Sequence, residues 1–203
     1  MNIKTIKNFF PRKSYFFPYL FYSILTFFVW YKTKFDVTQF VPDFNWYFSY
    51  GFHFWGDLNS NLSTNIFNNI NVDIDNWQPN PLYTIVFLSP IYILGSKVIF
   101  AIEGFLIGIG CIFLVRKILS QLNSKINERI KFFSLIVFSI SPIMLTNTIA
   151  LSTNGVFGFF LLISIAYSKN FPIRTISLIF ASIVRPNFVL LLPIFLICYF
   201  KSL

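Results

Sequence analysis

The sequence predicts an all-α fold: a polytopic transmembrane helical bundle of about six spans with one large extracytoplasmic loop. Three observations predict it. Of 203 residues, 56% are hydrophobic and only 11% are charged, whereas a soluble surface calls for roughly 25–35% charged residues. The mean hydropathy of +0.68 excludes intrinsic disorder, which needs low hydrophobicity and high charge. Long apolar runs alternate with short basic clusters, as they do where Lys and Arg hold cytoplasmic loops in place. The net charge of +9 is spread over those clusters and forms no patch, so nucleic acid is not an expected partner.

The chain reads as one membrane domain over residues 1–203. Residues 1–14 carry Lys4, Lys7, Arg12 and Lys13 and form a cytoplasmic N-terminus. The apolar run Tyr15 to Trp30 follows. A signal peptide would end in a small-residue cleavage site, and Trp30-Tyr31-Lys32 offers none, so this run is an uncleaved first span. Residues 35–97 form the extracytoplasmic loop. Its part from Phe35 to Pro81 holds Asp36, Asp43, Asp57, Asp73 and Asp75 without a single Lys or Arg. It is too polar for lipid and too aromatic for a plain linker, and reads as a loop with interfacial helices and a Trp/Tyr belt.

Residues 81–95 would make a helix of about 22 Å, short of the roughly 30 Å hydrocarbon core. Were they to cross, the run Val98 to Val115 would deliver Arg116, Lys117, Lys125, Arg129 and Lys131 to the outside. Residues 81–95 are therefore an interfacial helix, and Val98 to Val115 is the second span. Phe132 to Ile149 is the third, kinked at Pro142, and Ala150 to Tyr167 returns as the fourth. Residues 175–200 make either one helix with Arg185 at its centre or two short spans turning at Arg185-Pro186. Proline opens a helix well, and a central Arg costs about 2.5–3.5 kcal/mol, so two spans are expected. Twelve of the 16 basic residues then lie on the cytoplasmic side of the plasma (inner) membrane.

Little of the chain can carry chemistry. Cys111 and Cys198 both sit in apolar runs and read as small hydrophobes. His53 is the sole histidine, so no His-based metal cluster can form. The 29 Phe read as lipid-facing bulk. The acidic loop is the informative segment, because a carboxylate there can serve as a general base or hold a cation. Asp43, in Pro42-Asp43-Phe44-Asn45-Trp46-Tyr47, stands among aromatics that would desolvate it and raise its pKa. Asp73 and Asp75 have metal-ligand spacing, but an Asn/Asp-rich stretch produces that spacing by chance, and no metal or cofactor is expected. Arg185, at a helix junction on the outer side, fits phosphate by its fixed fork of donors. The competing reading makes it a partner that locks two helices through Glu103, which is costly in lipid when unpaired.

These pieces, in order, resemble the C-superfamily membrane glycosyltransferases that use polyprenyl-phosphate sugars, among them protein O-mannosyltransferases and aminoarabinose transferases of lipid A. Asp43 to Tyr47 resembles the first-loop motif. Asn80-Pro81-Leu82-Tyr83 through Leu94-Gly95 resembles the interfacial helix. Ala150-Leu151-Ser152-Thr153-Asn154 resembles the start of the fourth span, where the family often carries an acid. Ala181-Ser182-Ile183-Val184-Arg185-Pro186 followed by Leu190-Leu191-Leu192-Pro193 resembles the Arg-Pro segment. The likeness covers roughly residues 15–200. It implies sugar transfer from a polyprenyl-phosphate donor to an extracytoplasmic acceptor, with Asp43 as catalytic base and Arg185 on the lipid phosphate. Tyr47 and His53, in the same loop, complete the candidate substrate-binding residues. Family members run longer and have more spans, so a truncated or split chain with a partner supplying further spans is expected. The alternative function is a non-enzymatic polytopic subunit or carrier for a lipid-linked substrate. A carrier should place ionisable groups at the bilayer midplane, and here they gather in the outer loop.

Overall fold

A computed structural model describes residues 13–35, 97–122, 127–185 and 188. Among them all regular structure is helical. A 3₁₀ turn, Lys13–Phe16, leads into α1 (Phe17–Thr33). Then come α2 (Lys97–Gln121), α3 (Glu128–Ile140), α4 (Pro142–Ile149), α5 (Thr153–Ala166) and α6 (Phe171–Val184). The expected extracytoplasmic loop (all but residues 35 and 97), the helix expected over 81–95, and nearly all of the chain after Arg185 lie outside the described residues.

α2 is the hub, packing against α1, α3, α4 and α5, while α6 covers α5. Consecutive long helices run antiparallel. At one end the Tyr15 hydroxyl donates to Glu128 at the start of α3 (2.6 Å), and the Arg116 guanidinium lies 5.0 Å from the Tyr15 ring centroid. Gln121, the last residue of α2, donates to the Ala166 carbonyl at the end of α5 (3.0 Å). At the other end Trp30 packs on Phe105, and Arg185 reaches Asn154. The two ends differ in charge. Arg116, Lys117, Arg129, Lys131, Lys169 and Arg174 stand at or near the first end, and Lys32, Lys34 and Arg185 at the second.

The helix termini follow from local chemistry. Asn127, Ser152 and Asn170 cap α3, α5 and α6 by accepting from the N–H groups of Arg129, Gly155 and Ile173, which satisfies donors that a helix start leaves open. Pro142 ends α3 at Ile140, because the residue before a proline is pushed out of the helical region. Ser141 accordingly has φ −59° and ψ 129°, and α3 and α4 meet at a bend of 52°. α6 stops at Val184 with Arg185 extended. One unbroken helix over 175–200 is therefore excluded, while Pro186 and any second span after it lie outside the described residues.

Of the described helices, α2 is long and apolar enough to cross a bilayer over Val98–Gln121, and α3 with α4 would be a second span if the bent pair is one. α1, with 17 residues, is about 26 Å long, and α5 and α6, with 14 each, are about 21 Å. Large apolar side chains stand on the outside of the bundle as well as in its core. Phe28, Leu106, Phe133 and Ile143 point outward and are exposed. The interior is built on apolar side chains such as Tyr22, Phe100, Ile112, Leu135 and Val156, and among them it holds Ser139, Thr148, Ser164, Ser177 and Ser182, whose hydroxyls donate to carbonyls three or four residues back. Small and hydroxyl-bearing residues at helix contacts, with large apolar ones outside, are the pattern of helix packing in lipid.

Candidate functional site

The candidate site lies at the end of the bundle away from the basic cluster, and three segments build it. α6 ends after Val184 and places Arg185, half-buried, beside the first turn of α5. There one guanidinium N–H group donates to Asn154 Oδ1. The α4–α5 turn positions Asn154. Ser152 Oγ donates to Asn147 Oδ1 (2.7 Å) and accepts from the Gly155 N–H (3.1 Å), while Asn147 Nδ2 donates to the Ile143 carbonyl (2.7 Å). Leu151 turns the chain at φ 45° and is fully buried; apolar burial holds a residue there in a backbone conformation normally unfavourable for a β-carbon.

Glu103 is the third component. Gly104, next to it, lets α2 approach the carbonyl oxygens of Thr148 and Ile149 in α4, so Glu103 stands at the level of the α4–α5 turn. Its Oε2 is buried without a hydrogen-bond partner among the described residues. Arg185 and Glu103 form no salt bridge. The helix lock expected as the competing role of Arg185 is absent, and Asn154 is its partner instead. An uncharged amide holds a guanidinium in place without neutralising it. Four of the five donors of the arginine have no partner among the described residues and can meet the oxygens of an anion.

Arg185 is thus the one candidate substrate-binding residue within the described structure. Asp43, Tyr47, His53, Asp73 and Asp75 lie outside the described residues, as does Cys198. Cys111 is buried in α2 as a small hydrophobe. Among the described residues no group of three His, Cys, Asp or Glu could hold a metal ion. No protein-family model, no curated protein and no solved structure matches this chain.

Sequence reasoning missed the partner of Arg185. Asn154 drew attention only as a departure from an acid, and nothing in the spacing of residues 154 and 185 joins them. It also missed the network at the opposite end, where Glu128 accepts from both Tyr15 and the buried Lys131 (3.0 Å). The signal available for that network was Glu128 and Lys131 at i, i+3 on a helix beginning at an Asn cap.

Proposed function

We propose that this chain is a polytopic membrane glycosyltransferase of the C-superfamily type, with a cytoplasmic N-terminus. It transfers a sugar from a polyprenyl-phosphate donor to an acceptor hydroxyl on the far side of the membrane. The observation that carries the reading is the Arg185–Asn154 contact. It joins two of the segments that resemble the family, the fourth-span start and the Arg-Pro segment, at the end opposite the basic cluster. Arg185 binds the donor phosphate through its remaining donors, and Asn154 sets the plane of the guanidinium. Asp43 takes the proton from the acceptor hydroxyl as that oxygen attacks the anomeric carbon. The bond from that carbon to the phosphate oxygen breaks, and its electron pair leaves on the lipid phosphate, where Arg185 offsets the growing charge. No metal or cofactor enters this step. Charged side chains among the described residues stand towards the helix ends, which favours chemistry at the membrane surface over a carrier with a midplane site.

The test is binding of a polyprenyl-phosphate sugar to the purified chain in detergent, with thermal unfolding followed alongside. Arg185→Lys keeps the charge and loses the fork, and it should weaken donor binding while the unfolding temperature holds. Asp43→Asn should lower turnover by about 10²–10⁴ and leave donor binding intact. Donor binding unchanged in both Arg185→Lys and Arg185→Leu would reduce Arg185 to a tie between α5 and α6.

A further inference from the structure

The basic end of the bundle carries an open groove of about 520 Å³, lined by Lys117 and Gln121 from α2, Ala166 and Tyr167 at the end of α5, and Lys169 and Asn170 in the α5–α6 turn. Phe171 and Pro172 at the start of α6 complete it. We infer that this groove binds the phosphate headgroup of an anionic phospholipid. The site is distinct from the one at Arg185 and does not depend on sugar transfer.

Its chemistry is that of an anion site. Two ammonium groups line it, and no carboxylate does. Of the two described carboxylates, Glu103 stands at the other end of the bundle, and Glu128 is engaged by Lys131 and Tyr15. The Lys117 ammonium sits 3.1 Å from the centroid of the Tyr167 ring. A cation–π contact fixes its position without neutralising it and leaves the N–H groups turned away from the ring available. Asn170 uses its side-chain oxygen to cap α6 at Ile173, which leaves its NH₂ group as a donor. Arg174 stiffens the turn by donating to the Ser168 carbonyl (3.4 Å) and lying over Phe171, its guanidinium 5.5 Å from the ring centroid.

The walls beside the groove select a lipid over free phosphate. Phe171 is 56% exposed, and Ile165, Ile173 and Ile176 on the same two helices are exposed as well. An acyl chain can lie along this surface while its phosphate sits between Lys117 and Lys169. Basic pockets between helices, at the end where Lys and Arg collect, suit anionic headgroups in this way.

The test uses the full chain in a neutral detergent and measures binding of phosphatidylglycerol, phosphatidylcholine and inorganic phosphate separately. Phosphatidylglycerol should bind more tightly than phosphatidylcholine. Lys117→Gln and Lys169→Gln should each weaken it about fivefold, and together about 25-fold, as expected for one basic residue each near an anionic surface. Lys117→Arg with Lys169→Arg should keep the affinity, which controls for misfolding of the Gln pair. Arg129→Gln removes an exposed charge from the same end but outside the groove, and should leave binding within about twofold. Equal loss in Arg129→Gln and Lys169→Gln would mean diffuse attraction and overturn the site. Unchanged binding in the Gln pair would overturn it too. Millimolar inorganic phosphate that displaces phosphatidylglycerol completely would assign the groove to a free phosphate and contradict the lipid.

Discussion

Tyr22 is fully buried against Gly108, with its ring stacked on Phe105 at a centroid distance of 5.8 Å and its hydroxyl 3.0 Å from Thr148 Oγ1. One side chain thus ties α1, α2 and α4 together. A β-carbon at residue 108 would overlap the phenol, and one at residue 104 would strike the carbonyl oxygens of Thr148 and Ile149. These glycines, four residues apart on one face of α2, allow the close approach that small residues give helices in lipid. The obstacles differ in kind. The phenol at Gly108 belongs to a side chain that can be replaced, whereas the carbonyls at Gly104 belong to backbone that cannot move without shifting α4. Gly104→Ala and Gly108→Ala should therefore each destabilise the chain by about 1–3 kcal/mol, read by thermal unfolding in detergent. Tyr22→Ala should relieve most of the Gly108→Ala penalty and none of the Gly104→Ala penalty. Equal relief of both would mean that the α2–α4 contact is not the rigid one. Tyr22→Phe should cost only about 0.5–1.5 kcal/mol, because Thr148 Oγ1 keeps its bond to the Met144 carbonyl (2.8 Å).

At the scale of elements, the α4–α5 turn decides where the candidate site stands. Ser152 serves twice, capping α5 at Gly155 and donating to Asn147 in α4. Ser152→Ala should cost about 1–2 kcal/mol, at the upper end for a cap, and should loosen Asn154 and so Arg185. Ser152→Thr retains the hydroxyl and should restore most of the stability. If Ser152→Ala left both unfolding and proteolysis of the turn unchanged, this turn would not hold the site. Much at this scale was legible in the sequence, and for physical reasons. Prolines act locally, so the bend at Pro142 and the end of α6 before Pro186 follow from the residue preceding each ring. The apolar run from Val98 to Val115, broken by Glu103 as its one charged residue, likewise announces α2. Arg185 finding Asn154 was not legible, because it depends on how α5 and α6 align when they pack side by side. The groove between Lys117 and Lys169 was hidden for the same reason. Both lysines read as topology markers in the chain, and only the parallel packing of α2 and α5, which sets their C-terminal ends side by side, brings them to one cleft.

Over its described residues the molecule is a helical bundle with an apolar core into which hydroxyls are set, an apolar outside and two unlike ends. All-helical structure and a long apolar helix were legible from composition, because a chain with 11% charged residues cannot clothe a soluble globule. The alternating direction of the helices was legible from where Lys and Arg fall between apolar runs, and the structure sets Arg116, Lys117, Arg129, Lys131, Lys169 and Arg174 at or near one end and Lys32, Lys34 and Arg185 at the other. The central claim is that the two ends face opposite sides of a membrane, with Arg185 outside and the Lys117–Lys169 groove inside. Thr146 and Ser168 mark these ends, and both side chains are exposed. The most direct measurement is labelling by a membrane-impermeant thiol reagent in intact cells. It uses a background in which Cys111 and Cys198 are replaced by Ala and a single cysteine is placed at Thr146 or Ser168. The account predicts that Thr146→Cys is labelled from outside and that Ser168→Cys is labelled only after the membrane is opened. Labelling of Ser168→Cys and protection of Thr146→Cys in intact cells would invert the molecule, and labelling of both alike would remove the membrane between them.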